Sequence, residues 1–210
     1  MNLYFLNELH NAKMASYDFT FKILLLGDDL SGKQYITDSY CYNLFNRPER
    51  RLSIGVDFHV KTIRIDNRIV KMQLWHVGGR ERFRFLLPTY CLQAHAAMII
   101  YDTSNFNSLD NLAEYINIIR KKAGAIPIML IGSNLHLSNK KREVSREQGI
   151  LMAEKYKLSG YIEIPSQNGQ NIRDALEALT RLMLEKIGAP SIQKHTPSDR
   201  RKGPPRVIYL

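Results

Sequence analysis

Cysteine occurs only twice in the 210 residues, at Cys41 and Cys91, and neither sits in a His/Cys cluster. The expectation is two buried or partly buried thiols, not a disulfide framework or a zinc site. Long hydrophobic runs are also missing: no segment approaches the ~18 consecutive apolar residues of a membrane span. Met1 to His10 contains apolar residues but neither a basic n-region nor a clear cleavage site, so a secretory signal is not expected and a cytoplasmic protein is. There is no internal repeat, and no zinc-finger, basic-zipper or RNA-binding aromatic pattern, which argues against specific nucleic-acid recognition. The chain ends Val-Ile-Tyr-Leu, with no cysteine there to prenylate.

What is present suits one domain of moderate size with short terminal extensions: 210 residues, 44% of them hydrophobic. The net charge of +10 implies attraction to something anionic, whether nucleotide, membrane surface or acidic protein. Charge alone does not choose among these.

The most informative string is Gly27-Asp-Asp-Leu-Ser-Gly-Lys-Gln34, directly after the apolar run Lys22-Ile-Leu-Leu-Leu26. The pattern Gly-x-x-x-x-Gly-Lys-Ser/Thr wraps a polyphosphate in backbone N–H groups, bridges its outer phosphates with lysine, and ligates Mg²⁺ through a hydroxyl. Gly27, Gly32 and Lys33 are in place, whereas Gln34 has no hydroxyl. A buried strand before the loop and a helix over Gln34 to Phe45 behind it would suit a phosphate loop; a strand-to-helix turn that binds nothing is the alternative.

Strand and helix patterns alternate after Phe19, which predicts an α/β domain with a mainly parallel sheet. Val56 to Ile65 and Ile69 to Trp75 alternate apolar and polar residues around Asp66-Asn67-Arg68, predicting an antiparallel hairpin. Ala96 to Tyr101 and Pro127 to Ile131 read as buried strands. Between them, Leu109, Leu112, Ile116 and Ile119 predict an amphipathic helix over Phe106 to Lys122, capped by Asn105 or Ser104. A helix over Ser145 to Tyr156, capped by Ser145, precedes the strand Gly160 to Ile164. The last helix runs from about Asn171 to Ile187, with Ile172, Leu176, Leu179, Leu182 and Met183 on one face and Gly188 and Pro190 stopping it.

Three further strings resemble small GTPases of the Ras superfamily, and the Rab branch most. Ser53-Ile-Gly-Val-Asp-Phe58 resembles the first switch and Trp75-His-Val-Gly-Gly-Arg-Glu-Arg-Phe83 the second. Ile131-Gly-Ser-Asn-Leu-His-Leu137 resembles the guanine-recognition loop, while Tyr101-Asp-Thr-Ser104 and Glu163 to Gly169 add agreement from Phe21 to about Ile187. The resemblance implies a P-loop NTPase-like small GTPase domain: a six-stranded, mostly parallel sheet with one antiparallel strand and helices on both faces. It implies GTP or GDP with Mg²⁺ at the carboxyl ends of the strands. The implied domain spans residues 19 to 188, with an amino-terminal extension over 1 to 18, disordered or a short amphipathic helix, and a basic, Pro-containing disordered tail over 189 to 210. Met14-Ala-Ser-Tyr17 resembles a common Rab amino terminus, so the residues before it are either an extension or an upstream start.

Carried over residue by residue, the resemblance assigns the nucleotide phosphates to Gly27, Asp28, Asp29, Leu30, Ser31, Gly32, Lys33 and Gln34, with the Gly79 N–H at the terminal phosphate. It assigns the base to Ser133, Asn134, His136, Ser166 and Gln167, and Mg²⁺ to Gln34 and Ser53, with His76 beside a metal-bound water. Arg80 stands at the water-positioning place.

Several of these positions depart from the family's chemistry. Gln34 reaches a metal only through a longer, differently aimed amide, and Asp29 brings a carboxylate toward the terminal phosphate. The family's Asp-x-Ala-Gly-Gln becomes His76-Val-Gly-Gly-Arg80, replacing an acceptor carboxylate by imidazole and a water-orienting amide by a guanidinium with donors only. Arg80 either contacts phosphate directly or lies on a solvated loop. His136 cannot accept two hydrogen bonds from guanine as the family's aspartate does, and is either a base contact or a surface histidine.

The function expected is therefore a degenerate, or pseudo, GTPase: a switch or protein-binding module with weak or altered GTP/GDP binding and little hydrolysis. The alternative is an active GTPase in intracellular trafficking or signalling. Effectors or regulators would meet the switch and inter-switch residues Ile54, Val56, Phe58, Trp75, Phe83, Phe85 and Leu86. Arg200, Arg201, Lys202 and Arg206 offer weak contact with an anionic membrane, making the protein at most peripheral.

Overall fold

Strands that are buried on both faces read as continuous apolar runs, and three of them set the centre of this molecule. In a computed structural model describing residues 17–28, 31–33, 56–79, 81–133, 141–164, 170–189 and 208–209, these are β1 (Phe19–Leu26), β4 (Ala96–Asp102) and β5 (Ile128–Ser133). Every residue of β4 and β5 is buried. β2 (Val56–Ile65) alternates between core and surface, as an edge strand should. β3 (Arg68–Val77) returns antiparallel beside it, and β6 (Gly160–Ile164) follows β5.

The sheet order is β2-β3-β1-β4-β5-β6, with a two-residue strand β7 (Ile208–Tyr209) added parallel to β6 at Gly160 and Tyr161. β1 sits between β3 and β4, pairing Ile23 with Leu74 on one side and Ala96 on the other. Among the described residues only the β2–β3 pair is antiparallel, so the six expected strands and their single antiparallel member are observed. The hairpin turns at Asp66 and Asn67. Asp66 takes the left-handed conformation (φ 54°) that aspartate tolerates, so Arg68 already pairs with Ile65.

The pleat sends alternate residues of β1 into two cores. Ile23 and Leu25 pack with Ile172, Leu176 and Leu179 of the helix α4 (Gln170–Lys186). Leu24 and Leu26 lie in the opposite core, with Leu112, Ile116 and Ile119 of α2 (Leu112–Ala123) and Ala153 of α3 (Arg146–Lys155). Helices therefore cover both faces. A short helix, α1 (Leu87–Tyr90), follows the 3-10 turn Glu81–Leu86. Among the described residues, no helix is long and apolar enough to cross a membrane.

Two helix readings change. The amphipathic segment does not form one helix from Phe106. A 3-10 turn covers Phe106–Leu109, capped by the Asn105 side chain, and α2 starts only at Leu112. Serines hold the turn: Ser108 Oγ accepts the Asp102 N–H at 3.0 Å and lies 2.7 Å from the Asn105 carbonyl, while Ser104 Oγ donates to Asp102 Oδ1 at 2.7 Å. Such local bonds compete with helix formation. In α4, Met183 and Leu184 are buried and Leu182 is half-buried, because the helix rotates Leu184 toward the sheet. Gly188, at φ 71°, ends it, with the Ala189 N–H donating to the Leu184 carbonyl.

The Ser145 cap is present as a full capping box with Gln148. The helix expected over Gln34 to Phe45, the segment before Tyr17 and residues 190–207 lie outside the described residues, as does Cys41. Cys91 is a buried free thiol.

Candidate functional site

β1 delivers the chain to the phosphate loop at the carboxyl end of the sheet, and the loop has to turn at once. Gly27 does so with φ 138°, and a Cβ there would stand 2.1 Å from the Ile100 carbonyl oxygen of β4. Only glycine fits so close to a neighbouring strand. Gly32, at φ 90°, turns the loop a second time. The Ser31 N–H donates to the Asp28 carbonyl between them.

Lys33 is 2% exposed. Its Nζ donates to the Gly27 carbonyl, and to that of Asp28 at 2.6 Å. The ammonium is thus held against the loop's own backbone, where a polyphosphate would meet it. Ser31, 1% exposed, has a buried Oγ with no hydrogen-bond partner among the described residues. A buried hydroxyl left open inside a cradle of this shape suits an anionic oxygen. Asp28 does not oppose that charge directly: its Oδ1 accepts the Asn111 amide from the start of α2 at 3.0 Å.

The end of β3 reaches the same place. Gly78 and Val77 share with Gly27 a cavity of about 10 Å³, closed by Arg84, Leu87 and Tyr115. Gly79 follows directly, so the structure brings Gly27, Ser31, Gly32, Lys33 and the Gly78-Gly79 pair to one end of the sheet. His76 lies two residues earlier, half-buried and paired across the hairpin with Asp57.

Ser133, which the resemblance assigns to the base, closes β5; its carbonyl accepts the Thr103 N–H at 3.0 Å and the Thr103 hydroxyl at 3.1 Å. Asp29, Leu30, Gln34, Ser53, Arg80, Asn134, His136, Ser166 and Gln167 lie outside the described residues.

The residues fit a phosphate group better than they fit Mg²⁺. Two positive-φ glycines, a buried lysine and an open hydroxyl suit phosphate oxygens. For the metal, imidazole nitrogen at His76 replaces a hard carboxylate, and Mg²⁺ favours oxygen. Among the described residues no three His, Cys, Asp or Glu side chains gather to hold a metal.

A hydrogen-bond chain linking β4, β6 and the segment before α3 carried no local sequence signal. The Tyr101 and Tyr161 hydroxyls are 2.9 Å apart, and Tyr161 donates to Glu163 Oε1 at 2.8 Å. Arg142 grips both Glu163 oxygens at 2.8 Å. This fastens the segment ahead of α3 to β6. Gly149 makes room, since a Cβ there would meet Tyr101 Oη and the Tyr161 ring at 2.5 Å. Burial pushes the Tyr101 phenol up to about 12 and that of Tyr161 up as well. The Glu163 hydrogen bond holds the Arg142 guanidinium above its ordinary value.

The hairpin carries a second feature, an exposed aromatic face. Phe58 is 50% exposed and meets Trp75 edge-on at 5.6 Å, and Trp75 in turn lies 6.2 Å from Tyr90. Trp75, Tyr90 and Val56 pack partly against the core, while Phe85 is 73% exposed. The Lys22 ammonium sits 4.1 Å from the Trp75 ring centre and donates to the Leu92 carbonyl. Leu86 is half-buried, Phe83 lies in the 3-10 turn, and Ile54 is outside the described residues. Tyr90 and Lys22 belong to this face only through the fold.

A parallel sheet with one reversed edge hairpin, helices on both faces and a Gly/Lys loop after its first strand defines a P-loop NTPase-like fold. The Ras family model matches residues 22–185, and the chain belongs to that family. Ras-related protein Rab-19 of Bos taurus is 34% identical over 176 residues, covering 83% of this chain and 80% of that protein. Ras-related protein Rab-8B of Bos taurus is 32% identical over 173 residues, covering 82% of each. Ras-related protein Rab-1 of Theileria parva is 32% identical over 176 residues, covering 83% of this chain and 79% of that one. Proteins of this family generally bind GTP or GDP with Mg²⁺ and interact with effectors and regulators.

Proposed function

We propose that the chain is a pseudoGTPase: a protein-binding module or switch that holds guanine nucleotide weakly or with altered selectivity and hydrolyses it little. The observation that carries this reading is His76 at the end of β3, beside the Gly78-Gly79 turn. Metal-assisted phosphoryl chemistry needs an oxygen acceptor there and a water-orienting group four residues on. His76 and Arg80 supply imidazole and guanidinium instead.

What the chain's own groups do is bind. Backbone N–H groups of the loop and Lys33 take the phosphates, Ser31 Oγ offers a donor, and the Gly79 N–H faces the terminal phosphate. Mg²⁺, when bound, would add charge neutralisation through Gln34 and Ser53. On the base side, Ser133, Asn134, His136, Ser166 and Gln167 lack the bidentate carboxylate that selects guanine.

The aromatic face of Phe58, Trp75 and Tyr90 would engage effectors or regulators, with exposed rings as anchors. The relatives' Rab identity supports a place at the cytoplasmic side of a trafficking membrane, held peripherally by the basic tail or by a partner. The positive-φ glycines Gly27 and Gly32 and the buried Lys33 beside them support the second reading, an active GTPase.

Nucleotide extraction from the purified full chain, then titration with GTP, GDP and ATP with and without Mg²⁺, separates the two. The expected result is weak binding, little changed by Mg²⁺, with negligible turnover. Tight, Mg²⁺-dependent, guanine-selective binding with measurable hydrolysis would establish the active enzyme instead.

A further inference from the structure

At the pole opposite the phosphate loop, where β4 and β5 begin and α2 and α4 end, the chain leaves a cavity of about 280 Å³. Phe21, Ala94, Ala123, Met183 and Ile187 give it apolar walls. Among the described residues, His95 and Lys186 are its only polar side chains, and no carboxylate lines it.

Hydrogen bonds fix what those two groups offer. His95 Nδ1 accepts the Lys22 backbone N–H at 3.0 Å, and the His95 backbone N–H donates to the Lys22 carbonyl at 2.8 Å. The neutral ring therefore carries its proton on Nε2, as a donor. Lys186 Nζ spends one N–H on the Ala125 carbonyl at 2.6 Å and keeps two. The second nearby ammonium, Lys22, is turned to the Leu92 carbonyl and the Trp75 ring, so it adds field without filling the cavity. Burial first, then the charges of Lys22 and Lys186, hold the His95 imidazole below its ordinary value. The site is thus apolar within, donor-lined at two points and electrically positive.

We propose that this cavity binds a small carboxylate with a hydrocarbon arm, the head taken by Lys186 and His95 Nε2–H and the arm by the walls around Met183 and Ile187. Its volume lies just below the ~300–1,000 Å³ typical of ligand sites, which selects a medium-length chain over a full lipid. A carboxylate satisfies both donors, whereas a cation meets two like charges and a bare anion leaves the apolar walls wet. The site is independent of nucleotide at the other pole.

The test titrates the full-length protein with octanoate, octylammonium and inorganic phosphate while following Met183 and Ile187 methyl resonances and the His95 ring by NMR. Octanoate should give saturable methyl shifts and raise the His95 midpoint by about half a pH unit, as a new anion beside it requires. Lys186→Met, at an exposed position, should weaken binding at least fivefold, and Ala123→Phe should abolish it by filling the cavity. Equal binding of octylammonium, equal binding of phosphate, or octanoate shifts that survive both substitutions would each overturn the proposal. So would the absence of saturable shifts with octanoate.

Discussion

Lys33 shows how much one side chain carries here. Its ammonium is buried and held by two loop carbonyls, which fixes it beside the loop backbone before any phosphate arrives. Replacing Lys33 by Ala should weaken nucleotide or polyphosphate binding at least tenfold, about 1.4 kcal/mol, in a calorimetric or fluorescent titration. Unchanged affinity would move the site elsewhere. The tyrosine pair makes a prediction of a different kind. Unfolded phenols ionise near 10, whereas Tyr101 is pushed up to about 12 and Tyr161 also upward. The folded state keeps protons that the unfolded state loses, so the pair's contribution is complete below pH ~10 and lost as pH rises through about 12. Urea midpoints should fall over that window. Tyr161→Phe, which removes the hydroxyl between Tyr101 and Glu163, should cost about 1–2 kcal/mol at pH 8 and flatten the alkaline fall.

Elements were legible where the deciding interactions are local. The Ser145–Gln148 capping box spans four residues and could be anticipated at Ser145; its loss in Ser145→Ala should cost about 1 kcal/mol, read as a lower urea midpoint at unchanged slope. The hairpin, the buried strands and the glycine stop of α4 follow from equally short-range patterns. The start of α2 did not, because Ser104 and Ser108 bond back to Asp102 and hold a 3-10 turn in a segment whose apolar spacing is helical. The site divides the same way. Gly27 and Lys33 announce themselves by spacing, while the Tyr101–Tyr161–Glu163–Arg142 chain joins residues up to 60 positions apart and has no local signature. Tyr90 and Lys22 join the aromatic face for a similar reason: α1 and β1 meet Trp75 only after the sheet forms.

The molecule as a whole presents distinct features at distinct places: a glycine/lysine loop at one end of the sheet, a donor-lined apolar cavity at the other, and aromatic rings along the hairpin edge. Because Phe58 is half exposed, Phe58→Ala should leave the thermal midpoint within a few degrees of the parent while weakening effector capture at least tenfold. Loss of folding instead would make the ring a core residue. At the far edge, ending the chain at Arg206 removes β7. Hydrogen exchange in peptides covering 158–164 should then speed up, since Gly160 and Tyr161 lose their outer neighbour.

That small strand also has a consequence for self-association. Unlimited stacking of sheets needs two open sides, one to receive and one to pass on. Among the described residues, β2 presents ten residues at one edge, whereas β6 presents five at the other, two of them already paired by β7. A strand from another molecule would then find more edge beside Phe58 and Val60 than beside β6, an asymmetry among the described residues that favours pairs over fibres.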